Sequence, residues 1–350
     1  MTSIIRIGDQ IENPKVSIIV VCFNHAEYIS QCLTSIFCQE CDFDYELIIH
    51  DDASTDKSIL RITEIIETKN MSAILVCQSE NIWSQGKNPV IEAARYAKSG
   101  LIAVCEGDDY WLSPDKLQIQ RSFMAVNPGY DLACHSAQFV SANGTSLGEY
   151  PLQRQGPVPP SKALRLGGGL CATASIMIRK SLLDKQGALP MRQEAGDVFM
   201  IGLAAIHGKI WFEQDLLCAY RINHSGSYSS VYNDRPTPEL IERRHLTMIT
   251  FGHHLLKSEN CNHIKSKAIR SWIGRQEYVT AIAYAVNGDT VGYRKHARAA
   301  LFFSFGDTLR LLAIWPLAAF GLADSAIDCA RKIKRSIRMS KLNVFRQTPL

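Results

Sequence analysis

The chain has 350 residues, 46% of them apolar and 21% charged, with a formal net charge of +4. That is enough apolar content to bury one large domain with an appendage, and it excludes a disordered chain or a polycation built for nucleic acid. The eleven cysteines are scattered through apolar stretches. The closest two, Cys38 and Cys41, lack the second pair that a zinc site needs, so they read as reduced thiols of a cytoplasmic protein. The N-terminal stretch MTSIIRIGDQIENPK lacks the apolar core of a signal peptide. No run reaches the roughly 18–20 apolar residues of a membrane-spanning helix.

In chain order, residues 16–21 form a β-branched run after Pro14, the pattern of a central parallel strand. Asn24 is placed to cap a helix whose Ile29, Cys32, Leu33, Ile36 and Phe37 fall on one face. Leu47–Ile49 read as a second strand, Asp56 as the cap of a helix carrying Leu60, Ile62, Ile65 and Ile66, and Ala73–Cys77 as a third strand. A helix over Val90–Ala97, a strand over 101–105 and a helix over 115–126 behind Ser113-Pro114 complete an alternating half. This alternation predicts an α/β fold, a mostly parallel nucleotide-binding sheet flanked by helices. In the second half, Leu132–Val140 and Thr173–Ile178 read as strands and 143–168 as a Gly- and Pro-rich loop. Asp197–His207 read as a helix, Ile210–Tyr220 as a strand or hairpin, and the chain beyond Pro238 as a C-terminal helical extension. The expected boundary separates a domain over 1–235 from an extension over 236–350.

Chemistry concentrates where predicted strands end. Glu106, Asp108 and Asp109 crowd into four positions behind the run ending at Cys105. Like charges this close repel unless a cation neutralises them, and hard divalent ions take oxygen ligands while bridging to phosphates. Asp51 and Asp52 end another strand, so two acidic pairs aim at one crevice, the usual ligand position in open α/β sheets. Neither GxxxxGK[ST] nor GxGxxG occurs, so a bound nucleotide would rely on metal for its diphosphate.

Four ordered segments carry a resemblance. Pro14–Asn24 with Ser35–Gln39 and Asp51-Asp52-Ala53-Ser54-Thr55-Asp56, then Glu106-Gly107-Asp108-Asp109-Tyr110-Trp111, Gly196-Asp197-Val198-Phe199 and Tyr220–Ser227 resemble family 2 glycosyltransferases over residues 14–230. The resemblance implies a glycosyltransferase-A fold and an inverting transfer from a nucleotide-diphosphate sugar to a glycan hydroxyl, using Mg²⁺ or Mn²⁺. It implies that Asp52 and the backbone near Val21 contact the base, with Lys87 adding a contact to base or ribose. Asp108 would hold the ribose and Asp109 the ion, His224 would complete the ion's shell or steady the leaving diphosphate, and Asp197 would be the general base. The family often shows Asp-x-Asp-Asp, and here Glu106 takes the first place, where its longer side chain would solvate the site or bind a neighbouring amide. Asp51 reads as structural, and His207 as a satisfied core histidine.

Two other readings are a nucleotidyltransferase acting on sugar phosphates, which usually needs a glycine- and basic-rich loop absent here, and a catalytically silent nucleotide-sugar binding module. The apolar segments within 299–322 and the tail beyond Asp328, where every charged residue is basic, allow two readings of their own. One is an interfacial anchor on anionic lipid at the cytoplasmic face of the inner membrane, with a lipid-linked glycan acceptor in cell-surface polysaccharide biosynthesis. The other is a helical cap packed on the catalytic domain.

Overall fold

The computed structural model describes residues 2–150, 154–189, 191–193, 195–222, 224, 238–286 and 288–303. The chain divides into two compact units, Met1–Arg235 with Ser258–Lys265, and Pro236–Lys257 with Ser266–Leu350. In the first, the elements run β1 (Ser3–Ile7), β2 (Val16–Cys22), α1 (Ile29–Phe37), β3 (Tyr45–Asp51), α2 (Ser58–Thr68), β4 (Ala73–Cys77), α3 (Pro89–Ala94), β5 (Leu101–Glu106), β6 (Tyr110–Trp111) and α4 (Lys116–Val126). They continue with β7 (Leu132–Val140), β8 (Ser146–Glu149), β9 (Gly156–Val158), α5 (Pro160–Leu166), β10 (Met177–Arg179), α6 (Lys180–Gly187), α7 (Gly196–His207) and β11 (Ile210–Arg221). All the strands join one sheet, in the order β1-β4-β3-β2-β5-β10-β7-β11-β6, with β8 on β7 and β9 on β11.

The strands β4, β3, β2 and β5 are mutually parallel, as their apolar runs predict. In β2 every residue but Val21 is buried, because both faces are covered. Val16, Ile18 and Val20 pack on the cluster that receives Ile29, Cys32, Leu33 and Ile36, the apolar stripe of α1. Complete burial of one such side chain stabilises by about 1.5–3 kcal/mol, so this layer holds the sheet centre rigid. The parallel strands β2, β3 and β5 end together, and the acidic turns leave from that edge.

Several elements differ from the sequence pattern. Thr173–Ile178 is not one strand: Thr173–Ser175 form a 3₁₀ turn and only the three residues of β10 join the sheet, antiparallel to β5 and β7. Ser175 explains the break, because its hydroxyl and amide both donate to Ala172 O, at 2.7 and 3.0 Å, a local bond that competes with the ladder. The presumed loop 143–168 contains β8, β9 and α5, whose Pro160 occupies the first helical turn, where a missing N–H costs nothing. Asn24 caps no helix. It adopts φ +57° and its Oδ1 accepts from Thr55 N at 2.8 Å, lacing the β2–α1 loop to the turn after β3. Of the two readings of 210–220 the structure has the strand, Ile210–Arg221, with register shifts between Glu213 and Leu216 and between Leu216 and Cys218.

The second unit contributes α8 (Pro238–Leu256), α9 (His263–Val286) and α10 (Thr290–Phe303). Phe251 meets Trp272 edge to face, with Met248, Leu255 and Ile273 buried as well. A buried pair, His296 Nδ1 to Glu277 Oε2 at 2.6 Å, lies under the Tyr284 ring. Among the described residues no helix is long and apolar enough to cross a membrane. The segment 304–322 and the basic tail lie outside the described residues.

Candidate active site

The β5 strand hands the chain into the acidic turn at a point with almost no spare room. Gly107 N donates to Val21 O at 2.8 Å, which occupies the carbonyl of the residue expected beside the base. A Cβ on Gly107 would stand 2.9 Å from His25 Nδ1 and 3.2 Å from Val21 O, so only glycine lets β5 turn against the β2 end.

The two aspartates that follow face different surroundings. Asp108 Oδ2 meets His224 Nε2 at 2.8 Å, and Asp108 Oδ1 lies 3.9 Å from His25 Nδ1. Burial pushes the Asp108 carboxyl up, but the two histidines outweigh it and hold the group below the usual carboxylate range. Asp109 is 1% exposed. Its Oδ1 accepts from Arg221 N at 2.8 Å, while burial and then the neighbouring Asp108 and Glu106 charges push its carboxyl well up. The sequence reading placed the ion on Asp109 with His224 and the ribose on Asp108, whereas the structure pairs His224 with Asp108. Glu106 bonds the Thr173 hydroxyl, yet burial first, then Asp108 and Asp197, push its carboxyl up to about 8. Three carboxylates are thus crowded at one turn, where an added cation would ease the repulsion among them.

Arg221 carries much of this geometry, and sequence reasoning missed it as more than part of a motif. It is 2% exposed, and its guanidinium donates to Asp108 O at 2.8 Å, Ser141 O at 3.1 Å, Ala142 O at 2.6 Å and Gln31 Oε1 at 2.8 Å. The same group lies over the Tyr28 ring, 4.5 Å from its centroid. A lysine can satisfy few of these acceptors at once. Arg221→Lys should therefore lower stability by roughly 2–4 kcal/mol in urea unfolding, and a loss below about 0.5 kcal/mol would remove the brace.

At the end of β3, Asp51 is fully buried and its Oδ2 accepts from Ser54 N at 2.9 Å, the structural role expected of it. Asp52 is 3% exposed and uses both oxygens on the backbone, from Ile82 N at 2.7 Å and Trp83 N at 3.0 Å. It thus shapes the 82–87 turn on which Lys87 stands exposed. That turn is tied to the segment before α7 by Gln193 N to Gly86 O and Arg192 Nη2 to Ser84 O, each at 2.8 Å.

Asp197 lies half-buried in the first turn of α7, where the helix N-terminus favours its charge. Gly196 lets the helix start close on Asn88, since a Cβ there would collide with the Asn88 amide. Asp197 is near enough to Glu106, Tyr150 and Tyr220 to push each of their acid groups upward. His207, at the other end of α7, is paired through Nδ1 with Asn260 Nδ2 at 3.0 Å. The structure brings Glu106, Asp108, His224 and Asp197 to one edge, with Asp52 and Lys87 along the β3 side.

Acids at the ends of parallel strands, with an acidic helix start facing them, define an α/β protein with a ligand crevice at the carboxyl edge of its sheet. Residues 17–187 match the profile of Glycosyl transferase family 2, which makes this stretch a domain of that family. A Mycobacterium tuberculosis protein described as uncharacterised is 28% identical over 224 residues, covering 63% of this chain and 62% of its own. The chain thus spans less than two thirds of the length of that relative. In fold it is similar to S. aureus TarS 1-349 in complex with UDP-GlcNAc, with a TM-score of 0.63, 18% identity, and coverage of 93% of this chain and 92% of that one. It is also similar to a mannosyltransferase of Pyrobaculum calidifontis in complex with GDP-Man and Mn²⁺, with a TM-score of 0.51, 18% identity, and coverage of 91% and 88%.

Proposed function

We propose that this chain is an inverting glycosyltransferase that moves a sugar from a nucleotide-diphosphate sugar to a hydroxyl of a glycan acceptor, with residues 1–235 as the catalytic domain. The observation that carries the reading is the Asp108–His224 pair, set in the same crevice as Glu106 and Asp197. These residues fit a divalent cation such as Mg²⁺ or Mn²⁺: one carboxylate and one imidazole supply two ligands, with the Glu106 carboxyl close by. Among the described residues no group of three or more His, Cys, Asp or Glu side chains is placed to hold a metal ion, so an ion held by this pair would need phosphate or water for the rest of its shell. When bound, such an ion neutralises the charge that develops on the leaving diphosphate. Asp109 braces the Arg221 backbone behind the pair.

In the reaction, Asp197 accepts the proton of the acceptor hydroxyl. The hydroxyl oxygen forms a bond to the anomeric carbon as the carbon–oxygen bond to the diphosphate breaks, and the electron pair leaves with the nucleoside diphosphate. Asp52 acts on the base through the turn it organises, and Lys87 contacts base or ribose from that turn. The apolar and basic C-terminal stretch supports a lipid-linked acceptor on an anionic membrane surface, in cell-surface polysaccharide assembly. Leu301 and Phe302, 43% and 77% exposed at the end of α10, continue into that stretch.

The test is thermal stabilisation of the full chain by UDP-N-acetylglucosamine and by GDP-mannose, each with and without Mn²⁺. A rise in melting temperature with at least one donor, dependent on the ion, is expected. No shift with either donor or with UDP or GDP would overturn the proposal.

A further inference from the structure

The run Gly167-Gly168-Gly169 is absorbed by no motif, yet it lies against the proposed base. A Cβ on Gly168 would fall inside van der Waals contact of Asp197 Oδ2 and 3.2 Å from Val198 Cγ2. The carboxylate therefore rests on bare backbone. That backbone is held from both sides. Gly168 O accepts from the Tyr150 hydroxyl at 2.8 Å. Leu170, fully buried, closes the 3₁₀ turn by donating its N–H to Gly167 O at 2.9 Å. Gly167 itself adopts φ +53°, ψ −134°, in the region that favours glycine.

Tyr150 is in turn fixed to the sheet. Its N–H donates to Ala137 O in β7 at 2.7 Å. Its ring stacks on Phe139 with centroids 5.0 Å apart and lies 6.4 Å from Tyr220 of β11. A continuous path of contacts thus runs from the strands through a phenol hydroxyl and the backbone of Gly168, whose Cα faces the Asp197 carboxylate. A general base needs its oxygen held on the acceptor proton, and a displacement of about 1 Å can cost about 10²-fold in rate.

We infer that Tyr150 and Gly168 are positioning residues that fix the Asp197 carboxylate toward the acceptor. The inference rests on Asp197 being the base. It separates the three glycines by function: Gly168 is required empty by the carboxylate, whereas a Cβ on Gly169 would meet nothing within 4 Å. Gly169→Ala is therefore the internal control for any general effect of alanine in this turn.

The experiment measures nucleoside diphosphate release from UDP-N-acetylglucosamine or GDP-mannose, whichever the wild type turns over, with water or glycan as acceptor. Calorimetry of the matching nucleoside diphosphate measures affinity in parallel. Gly168→Ala should lower kcat by about 10–10²-fold with affinity and donor KM within about twofold, while Gly169→Ala stays within about twofold throughout. Tyr150→Phe keeps the ring stack, loses the hydroxyl, and should lower kcat by roughly 3–10-fold at unchanged donor KM. In an Asp197→Asn background Gly168→Ala should cost less than about twofold more, because the group it displaces is already disabled. Equal losses for Gly168→Ala and Gly169→Ala, or the full Gly168→Ala loss in the Asp197→Asn background, would overturn the positioning role. If Gly168→Ala does not fold, the Tyr150→Phe result decides, and wild-type kcat there would sink the inference. An Asp197→Asn enzyme as fast as wild type would instead remove the base assignment on which the inference rests.

Discussion

Asp197→Asn should cut transfer by about 10²-fold or more while leaving nucleotide affinity close to wild type, since general-base catalysis contributes about 10²–10⁴-fold. The expectation rests on place and surroundings. Asp197 stands in the first turn of α7, pressed on the Gly168 backbone, and bears electrostatically on Glu106 across the crevice. Asparagine keeps the size and the helix-terminal hydrogen bonding, so the fold should survive. It cannot take a proton from an attacking hydroxyl. If Asp197 merely served the helix, asparagine would preserve both stability and rate. Steady-state kinetics with nucleoside diphosphate calorimetry separates the two, because only a catalytic role lowers kcat at constant affinity.

The second large effect belongs to Asp108. Asp108→Asn should weaken Mn²⁺-dependent donor binding by roughly 10²-fold or more, because it removes the anionic oxygen that meets His224 and leaves a hard cation with a neutral ligand. The adjacent Asp109→Asn should keep affinity within about threefold. An asparagine carbonyl can still accept from Arg221 N, the one bond the structure gives the Asp109 side chain. The contrast sets two neighbouring aspartates apart by their partners. Calorimetry of UDP or GDP with Mn²⁺ on both variants reads it directly. Lost ion dependence in Asp109→Asn with normal binding in Asp108→Asn would instead put the ion on Asp109.

The Asp108–His224 pairing shows where sequence reading stops. The runs at β2, β3 and β5 are legible because parallel strands buried on both faces are nearly continuous in apolar residues, and abrupt acids mark their carboxyl ends. Which of Asp108 and Asp109 meets His224 is set by a tight turn, in which Asp109 N bonds Glu106 O at 2.9 Å, and by Arg221, 112 residues further on. Spacing carries no such information. Arg221 looks like any surface arginine until β11 delivers it among four acceptors. Asn24 is misread for a related reason: as a good cap it suits the start of α1, but the Ser54–Asp56 turn offers its carbonyl oxygen amide donors first. The Gly-rich stretch signals a loop by composition, yet one of its glycines is placed by the carboxylate lying on it.

The most direct measurement is release of nucleoside diphosphate from UDP-N-acetylglucosamine and GDP-mannose by the full chain with Mn²⁺, run beside Asp108→Asn and Asp197→Asn. The wild type should turn over one donor and lose this turnover on chelation of the ion, Asp197→Asn should bind that donor but release product at about one hundredth of the rate or less, and Asp108→Asn should bind it poorly. Turnover by the wild type that is indifferent to both substitutions would contradict a transferase built on this crevice.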